Sequence, residues 1–220
     1  MPLDRLLEEH PKNVRFDRFE VVSKFERLSE KYVVSENRLL SVLLPYVALL
    51  MCDPSELTLK FNTLDADIFE PFAAVRTLKT LTLAYCGRDM LAMLREILSH
   101  CWTESISLNG TWPLVTADYL SQAVRVGRIQ KLDLVSANLR IGLDMMDAAR
   151  CIWAKKLGNV KLELSGRLSF TREELERAFQ QCFYQRCQNT WFYNRGFETK
   201  LCVDFNGSRL AVFTETSTQE

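Results

Sequence analysis

The sequence predicts an α/β fold: a short arc of about five β–α units with parallel strands, a helical N-terminal cap and a β-hairpin C-terminal cap. Three observations carry this. Leu78-Lys-Thr-Leu81-Thr-Leu83-Ala-Tyr-Cys86 spells L-x-x-L-x-L-x-x-C, and weaker echoes stand at intervals of 24, 25, 26 and 30 residues. The segments between echoes place apolar residues at helical spacing. Near the C-terminus, Asn206-Gly207 separates two short alternating runs, which is a strong hairpin signal.

Residues 1–52 read as the helical cap. Residues 1–15 are polar and interrupted by Pro2 and Pro11. From Phe16, Val21, Phe25, Leu28 and Tyr32 share one helical face, and Glu20 and Lys24 form an i,i+4 pair. Ser35 offers an N-cap to a second helix through Leu39, Leu40, Leu43 and Leu44, which Pro45 should kink or end. An open stack of repeats exposes the apolar edge of its first strand, so a cap is required there.

Residues 53–188 carry the repeat. Side chains alternate faces along an extended segment, so Leu81 and Leu83 point one way while Thr80, Thr82 and Ala84 point the other. The echoes are Leu57-Thr-Leu59, Ile106-Ser-Leu108, Ile129-Gln-Lys-Leu132-Asp-Leu134 and Val160-Lys-Leu162-Glu-Leu164. One such unit cannot cover its own apolar face, whereas a stack can. Helical stripes lie between them: Met90, Leu91, Leu94, Ile97 and Leu98; Leu120, Ala123 and Val124 behind Thr116; and Met145, Met146, Ala149, Ile152 and Trp153. Thr171-Arg-Glu-Glu174 is a capping box before a face of Leu175, Ala178, Phe179, Cys182 and Phe183. Gly127 and Gly158 stand where a left-handed residue turns a helix back toward a strand. Asp65 to Val75 contains Pro71 and is expected to hold a turn or two.

Residues 189–213 form the C-terminal cap. Trp191-Phe-Tyr193 reads as a sixth strand, and the hairpin over Asn206-Gly207 would pair Asp204 with Arg209 and Val203 with Leu210. Residues 214–220 read as a disordered tail.

The pattern resembles the leucine-rich repeat family in its longer, ribonuclease-inhibitor-like form, over roughly residues 55–188. Its bend column reads Asn62, Cys86, Thr111, Ala137 and Arg167, and the first two match the family residue. Irregular repeats of this sort also occur in the substrate-receptor halves of F-box proteins. The resemblance implies a non-catalytic protein-binding module, with a ubiquitin-ligase scaffold as one candidate partner. An F-box would open Leu-Pro-x-Glu-Leu. The nearest string, Leu44-Pro45-Tyr46-Val47, has no acidic residue after its proline, so the cap reading of residues 1–52 is preferred.

Charge is balanced, with 28 Lys+Arg against 28 Asp+Glu, so the footprint of a dedicated nucleic-acid binder is missing. The longest apolar stretch, Leu39 to Cys52, is too short to span a bilayer. Met1 to Phe19 holds eight charged residues and no apolar run, unlike a secretory signal. Seven cysteines without a C-x-x-C pair suggest free thiols in a reducing compartment, hence a cytoplasmic or nuclear location. The expected partner is therefore a protein of unknown identity, with no nucleic acid, membrane, cofactor or metal.

Stacking the strands in register gives three outward columns: Glu56, Thr80, Ser105, Lys131 and Lys161; Thr58, Thr82, Ser107, Asp133 and Glu163; Lys60, Ala84, Asn109, Val135 and Ser165. From these, Thr82, Ser107, Asn109, Lys131, Asp133, Lys161 and Glu163 are the candidate protein-binding residues, since fixed alternating charge can register a partner. A merely solvated sheet face is the plain alternative. Two other functions are weighed. A cysteine-dependent enzyme would need a thiol–imidazole pair, and His100 beside Cys101 shows no spacing that argues for one. A purely structural subunit would leave the face unused.

Overall fold

A computed structural model describes residues 16–22, 42–60, 72, 75–155, 162–179, 183–187, 190–194, 199–206 and 209–216 of the chain. It divides into two compact units, Met1–Trp102 and Thr103–Glu220.

The first unit contains β1 (Phe16–Val22), α1 (Leu44–Leu50), β2 (Met51–Lys60), β3 (Thr77–Ala84) and α2 (Arg88–His100). Its strands are parallel, with β2 between β1 and β3. Leu57 pairs with Leu81 and Leu59 with Leu83, and all four are fully buried. Behind them α2 buries Met90, Met93, Leu94, Ile97 and Leu98, so Met93 takes the place expected of Leu91, which is half-buried.

Two expectations for the cap are corrected. The segment from Phe16 is a strand, not a helix. Phe19 and Val21 lie opposite Leu57 and Leu59, while Arg18 and Glu20 lie opposite Glu56 and Thr58. Over so few residues the two-residue alternation fits as well as the helical period, and an available sheet edge decides between them. Pro45 is the second residue of α1 rather than its terminator. Val42 and Leu43 just before α1 are π-helical, so the helical run passes through the proline with its hydrogen-bond ladder widened there. Phe25, Leu28, Tyr32, Ser35, Leu39 and Leu40 lie outside the described residues.

The second unit runs β4 (Trp102–Asn109), α3 (Val115–Arg125), β5 (Ile129–Asp133), β6 (Arg140–Ile141), α4 (Leu143–Lys155), β7 (Glu163–Leu168) and α5 (Arg172–Ala178). Strands β8 (Phe183–Cys187), β9 (Thr190–Asn194), β10 (Thr199–Asn206) and β11 (Arg209–Thr216) follow. β5 pairs with β4 and β7, and β6 with β7, all parallel. Ile106, Leu132 and Leu164 form one row of register partners, each fully buried. A side chain of this size gains about 1.5–3 kcal/mol on full burial, so the row strongly disfavours a slip that would expose it. Thr103 and Ile129 are also buried register partners three residues before this row. They fill the first apolar position of L-x-x-L-x-L.

The helical stripes are borne out: Leu120, Ala123 and Val124 of α3 are buried, as are Met145, Met146, Ala149, Ile152 and Trp153 of α4. Past α3, Gly127 has φ 75°. Its N–H donates to Val124 O at 2.9 Å and the Arg128 N–H to Ala123 O at 3.0 Å. These are the paired bonds of a Schellman end, and a left-handed glycine closes them without Cβ strain. Gly158 lies outside the described residues. The Thr171 box is also present: Thr171 Oγ1 accepts from Glu174 N at 3.2 Å, and Glu174 Oε2 accepts from Thr171 N at 2.7 Å. Its helix is shorter than expected. Leu175 and Phe179 are buried, Ala178 is exposed, and Phe183 already opens β8.

The C-terminal strands differ in direction and register. Trp191 to Tyr193 do form a strand, but β9 runs antiparallel to both β8 and β10. The hairpin pairs Asn206 with Arg209, Phe205 with Leu210 and Asp204 with Ala211. Asn206 is thus paired within the strand instead of standing in the turn, and Gly207 and Ser208 lie outside the described residues. β11 then pairs antiparallel with β7.

Gly166 positions β6 against β7. A Cβ there would stand 3.1 Å from Leu134 Cβ and 3.4 Å from Ile141 Cδ1. Replacing Gly166 with Ala should destabilise the chain by about 1–3 kcal/mol, the usual cost of overpacking. Denaturant unfolding would show this as a lower midpoint at unchanged slope, and an unchanged midpoint would contradict the close approach.

Candidate functional site: the outward strand face of the second unit

Alternation puts Ser105 and Ser107 of β4, Lys131 and Asp133 of β5, and Glu163 and Ser165 of β7 on the face opposite the buried leucines. The register groups them as Ser105–Lys131–Glu163 and Ser107–Asp133–Ser165. This corrects the expected columns by two residues on the last strand. Leu164, not Leu162, stands beside Leu132, so Glu163 rather than Lys161 faces Lys131. A two-residue slip keeps every side chain on its own face, which is why alternation does not detect it. Lys161 lies outside the described residues.

The corrected register changes the chemistry. Lys131 Nζ donates to both carboxylate oxygens of Glu163, at 2.9 Å each. The two side chains are 48% and 46% exposed, so the pair is worth at most about 1 kcal/mol. The strand register, not the pair's own attraction, stands these two opposite charges side by side. Asp133 Oδ1 accepts from the Val135 N–H at 2.9 Å, so this carboxylate is half committed to its own turn. Asn109 is half-buried at the end of β4, and its carbonyl accepts from Trp112 Nε1 at 2.8 Å. Thr82 belongs to the first unit, where it pairs with Thr58 on β2.

The loops after β4 and β5 are stitched together. Gly110 N donates to Ser136 O at 3.0 Å, and Asn138 N to Gly110 O at 3.1 Å. The Asn138 side chain then clamps Trp112, accepting from its N–H at 2.7 Å and donating to its carbonyl at 3.1 Å. Asn138 thus does the bend work expected of Ala137. Trp112 is buried, whereas Leu114 two residues on is 81% exposed and Val115 is also exposed. Leu114 and Val115 thus form an exposed apolar step at the start of α3. Arg167, expected at a bend, is instead an exposed residue of β7 on the same face as Glu163 and Ser165.

Away from the face, α3 and α4 share an ionic cluster. Asp147 Oδ2 accepts from Arg125 Nη2 at 3.0 Å, and Asp147 Oδ1 bonds Arg150. The Arg150 guanidinium also lies over the Phe179 ring, 5.9 Å from its centroid. Cys151 Sγ stands 3.7 Å from Asp147 Oδ2. Burial alone would raise the Asp147 carboxyl, but the hydrogen bonds and charges of Arg150 and Arg125 together outweigh it and hold it below its ordinary 3.8.

His100 and the adjacent Cys101 are each engaged with other groups. His100 Nε2 donates to Val75 O at 3.2 Å, and its Nδ1 faces Glu96 at 3.4 Å. Cys101 is buried and its thiol donates to Trp102 O at 3.4 Å. Burial, with Asp89 adding to it, pushes the Cys86 thiol up. Among the described residues no group of three or more His, Cys, Asp or Glu is placed to hold a metal ion. Among them, too, no helix is long and apolar enough to cross a membrane.

No family model matches the chain, and neither curated proteins nor solved structures yield a significant match.

Two predictions follow from these contacts. Asn138→Ala would remove both side-chain hydrogen bonds to Trp112 and cost about 1–3 kcal/mol in denaturant unfolding, and no loss would contradict the clamp. A carboxyl lowered by folding contributes stability that is present above its ordinary value and lost as pH falls through the lowered one. Below about pH 4 the wild type should therefore lose more stability than Asp147→Asn, and parallel acid limbs would show that the two arginines do not hold the carboxylate.

Proposed function

We propose that the chain is a non-catalytic protein-binding module, a leucine-rich-repeat-like arc that takes a protein partner on the outward face of its strands. In this reading the N-terminal segment and the C-terminal hairpin close the ends of the arc. The supporting observation is the Lys131–Glu163 pair, in which packing of the leucine row behind the sheet fixes two opposite charges on neighbouring rungs. Charges held by a packed core need little ordering when a partner arrives, so they serve specificity and approach. The exposed Leu114 and Val115 supply the apolar contact that a polar face lacks. A cytoplasmic or nuclear setting goes with this reading, since Cys86, Cys101 and Cys151 are free thiols.

The test is affinity capture from cell extract, with mass spectrometry of the bound proteins, on wild type, Lys131→Glu, Glu163→Lys and the double swap. The swap keeps an ion pair and a folded chain while reversing both charges in the column. Capture of the wild-type partner should fall at least about tenfold with the swap, an interfacial charge reversal costing several kcal/mol. Leu114→Ser should weaken the same partner without changing the unfolding midpoint. An unaltered set of captured proteins would show that the face is simply solvated.

A further inference from the structure

At the C-terminal end of the same face, arginines occupy adjacent register positions on three neighbouring strands. Arg140 of β6 pairs with Arg167 of β7, and Arg167 pairs with Arg209 of β11. Neighbouring strands lie about 4.8 Å apart, so the three positions fall within about 10 Å. Like charges directly opposite one another destabilise a sheet, and the sequence gains nothing in folding from placing them so.

The two whose surroundings are described are not neutralised. Arg140 and Arg167 are both exposed, and among the described residues neither side chain has an ion-pair or hydrogen-bond partner. Glu163 stands on the same strand as Arg167, but four residues back, about 13 Å away, and committed to Lys131. The backbone beneath is firmly set. Ile141 O accepts from both Ser169 N, at 3.1 Å, and Ser169 Oγ, at 3.3 Å. Gly166 lets the two-residue β6 sit close to β7. Arg140 and Arg167 thus stand on a rigid base beside the proposed partner face, unpaired among the described residues.

We infer that this row is an anion seat for a phosphorylated side chain of a partner polypeptide. The choice of phosphate over carboxylate follows from number and charge. Arg140 and Arg167 bring two guanidiniums, each a fork of N–H donors, with Arg209 at the next register position, and a phosphate monoester offers three terminal oxygens and a charge between −1.5 and −2. A carboxylate offers two oxygens and one charge, and would leave one arginine unanswered. The inference rests on the protein-binding reading above, but its residues are separate from the Lys131–Glu163 pair.

The experiment uses the full chain and three immobilised degenerate peptide libraries, with phosphoserine, serine or glutamate fixed at the centre, and inorganic phosphate as competitor. Retention on the phosphoserine library should exceed that on the serine library at least tenfold and be competed by millimolar phosphate. Arg140→Gln or Arg167→Gln should each lower it about tenfold, and the triple variant with Arg209→Gln should abolish it. Arg140→Lys/Arg167→Lys keeps the charge without the fork and should fall between. Thermal unfolding guards against misfolding: the Gln variants should melt no lower than wild type, and phosphate should raise the wild-type melting temperature alone. Equal retention on serine and phosphoserine, or indifference to the Gln changes, would overturn the inference, and equal retention on glutamate would replace phosphate by an acidic segment. The Lys131→Glu/Glu163→Lys swap should leave phosphoserine retention within twofold. Phosphoserine failure with capture still sensitive to that swap sinks the anion seat alone, whereas capture indifferent to the swap sinks the binding face.

Discussion

The parallel row Ile106, Leu132 and Leu164 is the constraint on which the second unit depends. Each side chain is buried between a strand and the helices behind it, and each is held beside its neighbour by backbone pairing. A slip by one residue would turn the whole apolar set outward, at a cost of several kcal/mol for three large side chains. The helices are matched to the row. α3 ends in a glycine-closed cap that returns the chain to β5, and α4 buries Met145, Met146, Ala149, Ile152 and Trp153. The same arrangement recurs in the first unit, with Leu57 beside Leu81 and Leu59 beside Leu83 over α2.

What lies on the other side of the sheet follows from that row. Because side chains alternate, fixing Leu132 and Leu164 also fixes Lys131 beside Glu163 and Asp133 beside Ser165. The outward charges are therefore placed by the core and not by their own weak attraction, which exposure and salt reduce. The loop stitch acts similarly. Asn138 holds Trp112 inward, and the turn that follows leaves Leu114 in solvent. At the far end Gly166 and Ser169 hold the short β6, and with it Arg140, beside Arg167.

Much of this was legible in the residues, and the failures have physical causes. Leucines at intervals of about two dozen announced the strands, and the stripes between them announced α2, α3 and α4, because both signals rest on burial over many residues. Leu162 and Leu164 compete for the place beside Leu132 because alternation cannot distinguish registers that differ by two. That ambiguity moved the expected partner of Lys131 from Glu163 to Lys161 and hid the ion pair. Phe16–Val22 satisfies either period over its seven residues, and a long-range sheet edge makes the choice. The hairpin register differs because Asn206 itself pairs with Arg209 and so belongs to the strand, not to the turn. Asn138 stood one place after the expected bend. Arg140 lies on a strand of two residues, too short to carry any periodic signal.

The most direct test of the central claim is the register of β5 against β7, read from interstrand nuclear Overhauser effects in solution. Contacts between Leu132 and Leu164, and between Lys131 and Glu163, are the result required by parallel pairing of the leucine row. Contacts of Leu132 with Leu162, or an antiparallel pattern between the two strands, would remove both the ion pair and the surface built upon it.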